Sequence, residues 1–588
     1  MNKSAYSFSF ISLESIPAAS EQESTSTVYG ILGFVKLLAG DYMLTITKRD
    51  LISSIQGKNI YRVAAFQILP LALNENQLSE NQKNQEQDYV NLLESHLKSN
   101  TFYFSYDFDL TQSAQRQAQF TPEQRASPLY KRADERFFWN KFASSKMIES
   151  SIDLSSFILP VMQGFVEFKN SKINNNSFTW GLITRRSRHR PGTRYFSRGI
   201  DAHGHVSNYV ETEQLVLYDQ QHVLSYVQTR GSIPVYWAQI INLKYTPRLW
   251  IGESRKSLSA ARAHFDEQIH IYGNQILVNL INKKGYELPM GQAYARTVEQ
   301  LNDPRIYYTH FDFHSECSKM RWHRIQLLVD QLKDRLVEQS YTHVDPTTHT
   351  LKKSQTSVVR TNCMDCLDRT NVVQSTLARY VMTKQLQELG ILKEDQKLEN
   401  QAEFMKGYRN IWADNADGVS CVYSGTGALK TDFTRTGERT KAGAMMDLQN
   451  SITRYCKNNF LDGRRQDAFD LFLGNFKVGQ DTSVSQASAE EKALRVRVVP
   501  YILIFALFML LLNLVRPSYS GFKSVTSYLL LLLFWISVLI SGVRFAIKHG
   551  DEFVQWPGLV RLPLDSETDE TGTLKQGNNE PPEMQKGL

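Results

Sequence analysis

Two runs near the C-terminus constrain this chain more than any other feature: "VVPYILIFALFMLLLNLV" at Val498–Val515 and "VTSYLLLLLFWISVLISGV" at Val525–Val543. Neither holds a charged residue, and each approaches the ~20 residues needed to cross a bilayer's hydrocarbon core. In tandem, joined by the short polar "RPSYSGFKS" (516–524), they argue against an ordinary core helix and predict a two-helix membrane hairpin. A hairpin returns the chain to the side it came from. Lys492, Arg495 and Arg497 precede it and Arg544 and Lys548 follow it, against Arg516 and Lys523 in the loop. That bias assigns the large N-terminal part and the tail (544–588) to the cytosol and the loop to a lumen. At the other end, "MNKSAYSFSFISLESIPAAS" has its apolar residues broken by Glu14, and no signal peptide is read there.

Ahead of the hairpin, nearly 500 residues call for two units. Residues 1–150 mix strand-like runs with polar loops, and "YGILGFVKLLAGDYMLTITKRD" (29–50) reads as two β segments around a turn. "NENQLSENQKNQEQ" (74–87) reads as a solvated low-complexity loop. Residues 151–478 are richer in apolar and aromatic residues and read as one α/β domain, with a linker at 479–497. The last forty residues read as disordered. A net charge of +7, from 67 basic and 60 acidic residues, excludes a general nucleic-acid binder but leaves room for a local basic surface. Five cysteines, an odd and sparse set, indicate reduced thiols and a cytosolic compartment.

Two of those cysteines lie in "RTNCMDCLDRTN" (360–371). Cys363-Met-Asp-Cys366 has redox-pair spacing, but the neighbouring aspartates oppose a low thiol pKa. A zinc site lacks a second ligand pair at suitable spacing. Two buried structural cysteines remain compatible with the spacing. The fourth reading is C-x5-R, Cys363 to Arg369, between a short buried strand at "SVV" (357–359) and a helix that begins near Thr370 and stops at Gly390. A tight loop there can aim backbone N–H groups and a helix N-terminus at one centre, which holds a phosphate and lowers a thiol pKa. Cys363 would attack phosphorus, and Arg369 would clasp two phosphate oxygens. Asp365 and Asp368 are each candidates for the general acid or the orienter of the attacking water, or for carboxylates that merely shape the loop. Cys366 is open to a protective redox role or to simple packing. The basic run "TRRSRHRPGTRYFSRG" reads as a solvated face in about half of its residues. Lys430 in "GTGALK" is a candidate headgroup contact, while His314 and Trp412 read as core residues.

The loop resembles the signature of the Sac-domain phosphoinositide phosphatases, R-x-N-C-x-D-C-L-D-R-T-N. "YFSYDFDLTQSAQR" (103–116), "DERFFWN" (134–140), "RGIDAHGHVSNYVETEQ" (198–214), "VQTRGSIPVYWAQ" (227–239), "HFDFHSECSKMRW" (310–322) and "YSGTGALKTDFTRTGERT" (423–440) also resemble family segments. The resemblance implies an α/β protein: a β-rich N-terminal Sac subdomain, a cysteine-phosphatase catalytic domain, then the membrane hairpin. It also implies hydrolysis of phosphatidylinositol 4-phosphate without metal or other cofactor, with the 3-phosphate and 3,5-bisphosphate as lesser substrates. Asn362, Met364, Cys366, Leu367 and Thr370 would complete the phosphate loop, with Lys430, Arg185 and Arg186 towards the headgroup and an anionic membrane surface. The membrane-anchored members imply residence in the endoplasmic reticulum or Golgi, and "EMQKGL" carries no dilysine signal to choose between them. A catalytically quiet lipid-binding or tethering protein, and a protein tyrosine phosphatase, are the rival readings.

Overall fold

The computed structural model describes residues 27–71, 74–479, 494–515 and 525–560. The N-terminal segment read for a signal peptide, most of the linker, the loop at 516–524 expected to be lumenal and the tail beyond 560 lie outside the described residues.

A sheet of 13 strands runs through the described body. Its first eight strands follow chain order, each antiparallel to the next: β1 (Gly30–Lys36), β2 (Asp41–Ile55), β3 (Lys58–Leu71), β4 (Phe102–Phe104), β5 (Met162–Ile173), β6 (Asn176–Arg186), β7 (Val210–Tyr218) and β8 (His222–Arg230). The hairpin expected over 29–50 is β1–β2, closed where the Leu37 N–H donates to Gly40 O at 2.8 Å. Two-residue turns join β2 to β3 and β5 to β6. Their central pairs, Gln56-Gly57 and Asn174-Asn175, have φ of 52° and 78°, and of 49° and 67°. Positive φ at both positions matches the right-handed twist of the flanking strands.

Past β8 the topology changes. β9 (Trp237–Ile240) and β10 (Arg248–Ile251) form a separate ribbon. β11 (Asn274–Asn279), β12 (Ile306–His310) and β15 (Ser357–Asn362) continue the sheet in the order β8–β15–β11–β12, all parallel. Between them in the chain, β13 (Thr342–Asp345) and β14 (Thr350–Lys353) form a hairpin on the start of β8. Every residue of β15 is buried, as expected for a strand covered on both faces.

Seven helices bear on the site or its anchoring: α1 (Glu80–Leu97), α2 (Asp368–Glu388), α3 (Ala402–Ser424), α4 (Lys441–Phe460), α5 (Asp462–Leu473), α6 (Leu494–Val515) and α7 (Val525–Lys548). The "loop" expected at 74–87 is corrected by α1. Ser79 and Gln82 form a reciprocal capping box that starts this helix, and the buried Glu86 accepts from the Leu38 and Ala39 N–H groups and the Tyr42 hydroxyl. The polar composition therefore marks one helix face, while Tyr89, Leu92, Leu93 and Leu97 supply the other. That face packs with Phe469, Phe472 and Phe476, so a helix from the far end of the catalytic region completes the N-terminal core.

α6 and α7 are the apolar helices expected from sequence, extended at their outer ends to Leu494 and Lys548. Their apolar windows are 6% and 0% buried, which rules out soluble core helices. The disorder expected of the tail does not hold over its first part. Val554 is buried with Phe196 and Ile241, Leu559 enters the N-terminal core, and the Gly558 and Leu559 N–H groups donate to Asp467. Packing partners from distant segments give this short stretch the burial its own composition does not advertise.

Candidate active site

Cys363 sits one residue beyond β15, at the carboxyl end of the parallel strands, where open α/β sheets place their ligand crevices. The next five residues turn the chain from β15 into α2. Cys366 takes the left-handed conformation, φ 54°, and its N–H donates to Cys363 Sγ at 3.1 Å. The Thr370 hydroxyl lies 3.6 Å from the same sulfur. The loop's carbonyls are bonded elsewhere: Cys363 O to the Cys366 thiol, Met364 O to Arg198 and Asp365 O to the Asn208 amide. With its acceptors occupied there, the loop can turn N–H donors inward.

This arrangement sets the two thiols apart. A side-chain hydrogen bond with Cys366 leads in pulling the Cys363 thiol below its ordinary pKa; burial opposes it and Arg369 adds to it. Burial and the neighbouring sulfur hold Cys366 well above the ordinary range, so it stays a thiol, donating to Gly231 O at 3.0 Å. Of the two, Cys363 is the thiol the surroundings favour for ionisation.

The two aspartates also separate. Burial works against ionisation of Asp365, but Arg194 and Arg198 overwhelm it, with contacts of 2.9 Å and 2.6 Å, and hold the carboxyl far below the usual range. Asp368, at the first position of α2, is half-buried, with no cation in direct contact among the described residues. It accepts the Leu429 N–H at 2.8 Å, and burial raises its pKa. Asp365 is a pinned anion; Asp368 can hold a proton.

Arg369 is placed beside this loop, but its guanidinium forks onto Glu287 at 2.9 and 2.7 Å and donates to Leu280 O at 3.2 Å. A phosphate engaging this fork would compete with Glu287. Cys363, Met364, Asp365, Asp368 and Arg369 line a cavity of about 350 Å³ whose rim includes Tyr245 and Tyr455. A neighbouring cavity of about 300 Å³ shares Glu287, Asp368 and Arg369 with it and is lined by Lys430 and His314. His314 is exposed, correcting the core expectation, whereas Trp412 is core at 1% exposure.

Other loop residues expected to touch substrate are turned away. Asn362 is buried and donates to Asn279 Oδ1, and Leu367 packs with Val210, Val419 and Tyr423. Their side chains, like the thiol of Cys366, shape the loop from behind. Arg185 and Arg186 are also corrected. Arg185 is fully buried against Glu211 and Glu213, and Arg186 donates to Gln163 Oε1 and Gly192 O. A sheet covered on both faces buries both of these neighbouring side chains, with carboxylates pairing Arg185 and neutral acceptors holding Arg186.

Sequence reasoning missed Glu287 and the pairing of Arg194 and Arg198 with Asp365. Both arginines stood in the basic run, but nothing local marks a partner more than 160 residues away.

The amino-terminal half of the chain, residues 29–318, matches the model of the SacI homology domain. The protein named Phosphatidylinositol-3-phosphatase SAC1 of Saccharomyces cerevisiae is 43% identical over 91% of this chain and 85% of its own length. This chain belongs to the Sac phosphoinositide phosphatase family. The Drosophila melanogaster SAC1 protein of the same name is 43% identical over 91% of this chain and 89% of its own, and Danio rerio SAC1-B is 42% identical over 91% and 90%. Phosphoinositide phosphatase SAC6 of Arabidopsis thaliana retains 34% identity over 91% of this chain. Such long matches run past the family-model boundary at 318 and through the Cys363 loop into the hairpin.

Proposed function

We propose that this chain is a membrane-anchored phosphoinositide phosphatase that acts on phosphatidylinositol 4-phosphate, with the 3-phosphate and 3,5-bisphosphate as lesser substrates. The observation carrying the reading is Cys363, a buried sulfur receiving the Cys366 N–H at 3.1 Å on a cavity of about 350 Å³. Cys363 attacks phosphorus in line; the S–P bond forms as the bond to the inositol oxygen breaks. Asp368 gives its proton to that leaving oxygen. Arg369, released from Glu287, braces the equatorial oxygens as charge builds there. Water then cleaves the cysteinyl phosphate, with Asp368 taking the proton back. Asp365 holds the loop through Arg194 and Arg198 and does not itself transfer protons. A cytosolic catalytic body fits the charge bias around the hairpin, and residence in the endoplasmic reticulum or Golgi membrane rests on the resemblance to the membrane-anchored members.

The test is phosphate release by the full-length chain from a panel of phosphoinositides, beside a phosphotyrosine peptide. The reading expects the 4-phosphate to turn over fastest and the peptide not at all. Preference for the peptide would favour a tyrosine phosphatase, and silence on every substrate a binding protein. Cys363→Ser should reduce turnover to below a few per cent, because a hydroxyl is far harder to ionise than a thiol.

A further inference from the structure

The 20-residue helix α4 carries an apolar stripe that nothing in the described body covers. Met445, Leu448, Ile452 and Phe460 are 66%, 55%, 57% and 42% exposed. Cys456 is exposed in the same row. Their spacing of three and four residues keeps them on one face. The inner side of the helix is polar and built in: Arg454 is buried and donates to Ser420 Oγ and Gly427 O. An uncovered apolar stripe of this size marks a surface that meets something.

Its position says what. Ser451 and Tyr455, on the flank next to the stripe, line the Cys363 cavity together with the inward-facing Arg454. Tyr455 also donates to Leu243 O at 2.6 Å, tying the helix to the lip at 242–247. The lip carries Tyr245, 83% exposed, on the cavity's rim. Lip and helix are both bound to the chain just as it leaves the second membrane helix. Gly550, two residues past the end of α7, packs on the Asn242 backbone; a Cβ there would stand 2.1 Å from Asn242 O. The Gln555 N–H donates to Asn459 O at the end of α4, at 2.9 Å. At no more than ~3.5 Å per residue, the lip lies within about 10 Å of the hairpin's end. That distance is comparable to the headgroup layer.

Resting on the membrane-phosphatase reading, we propose that the α4 stripe and Tyr245 seat in the interface of the bilayer that holds the hairpin, so that the Cys363 cavity opens onto headgroups beside them. An amphipathic helix lying in the plane of the interface buries such a stripe at acyl-chain depth, and an exposed tyrosine at headgroup level is the usual interfacial anchor. The ligand class is the lipid surface itself. Arg454 and Tyr455 form the join between that surface and the catalytic cavity.

The test uses the full-length chain in phosphatidylcholine–phosphatidylserine liposomes bearing a phosphoinositide. Leu448→Glu combined with Ile452→Glu alters two exposed side chains outside the catalytic machinery. Hydrolysis of the bilayer substrate is expected to fall at least about tenfold. Hydrolysis of a water-soluble short-chain phosphoinositide should keep its rate. An unchanged bilayer rate, or equal loss on both substrates, overturns the proposal.

An independent measurement labels Cys456 with an environment-sensitive fluorophore in a Cys363→Ser, Cys421→Ser background. Blue-shifted emission quenched by spin-labelled lipid is expected. Water-like emission overturns the proposal, and so does a blue shift without lipid quenching, which would assign the stripe to a protein partner or a second copy. This readout needs no activity, so failure of the phosphatase reading and failure of the seating are told apart.

Discussion

Asp365 and Asp368 are three positions apart, yet their surroundings give them opposite chemistry. Two guanidiniums hold one far below the usual carboxylate range, while burial pushes the other upward. Asp368→Asn should lower kcat on phosphoinositides by about 10²-fold or more, while an aryl phosphate with a good leaving group loses little. Equal loss on both would remove Asp368 from the acid role. The pH profile follows in sign. Cys363, with its pKa depressed, must be ionised, so kcat/KM rises as it loses its proton; Asp368, with its pKa raised, must be protonated, so the rate falls as it ionises. Asp368→Asn should abolish the falling limb and leave the rising one. Glu287 has a different part, holding the phosphate clamp by its fork. Glu287→Gln should tighten vanadate inhibition and lower KM by up to about tenfold, the worth of one charge-assisted hydrogen bond. A raised KM would show that the carboxylate orients Arg369 for substrate instead.

Among the elements, β6 and β7 carry a buried ion network that composition presented as surface charge. Arg185 meets Glu211 and Glu213, and Arg116 and Tyr272 also reach Glu211. Breaking such a pair leaves an uncompensated buried charge, so Arg185→Met should cost about 3–5 kcal/mol of stability, read from urea denaturation. KM should not change, since Arg185 faces the core. Burial opposes ionisation of Glu211, but Arg116 and Arg185 bring its pKa from 4.5 to about 2. A depressed carboxylate pKa stabilises the fold above the unfolded value, and that contribution is lost as pH falls through this window. Glu211→Gln should flatten the fall of the urea midpoint with acidification; an unaltered slope would assign the acid sensitivity to other carboxylates.

For the whole molecule, the decisive feature is that the body is held to the hairpin on its exit side, and the entry side is paired with that same exit segment. Arg495, entering α6, pairs with Glu552 beyond α7, and the chain after α7 docks through Val554, Gly558 and Leu559. A long flexible linker alone would let the body wander; a tether of a few residues on the exit side does not. The enzyme should therefore act in cis. Co-reconstitution with substrate should exceed mixing of separate enzyme and substrate liposomes by at least about tenfold at matched lipid, the gain expected from confinement to one surface. Asp467→Asn with Leu559→Asp, which breaks the dock, should shrink that advantage. Equal rates in the two formats with the intact chain would defeat the cis reading.

The sequence by itself determined the pair of long apolar helices, the strand–loop–helix around Cys363 and the family, because each is written in local signals: an uninterrupted apolar run, a buried strand ahead of a helical stripe, a contiguous motif. It misread residues 74–87, where the Ser79–Gln82 capping box was the missed helix signal. Only the tertiary structure decided which charges face inward. Arg185 and Arg194 stand in one basic run, yet one anchors β6 to β7 and the other pins Asp365, because their carboxylate partners come from different distances along the chain. The same holds for α5 in the N-terminal core, the sheet's passage across residue 150 through β4 and β5, and the docking of residues 550–560. Each of these depends on pairing between segments far apart in the chain. Period, composition and spacing are local quantities, and do not encode which distant surface a segment will meet.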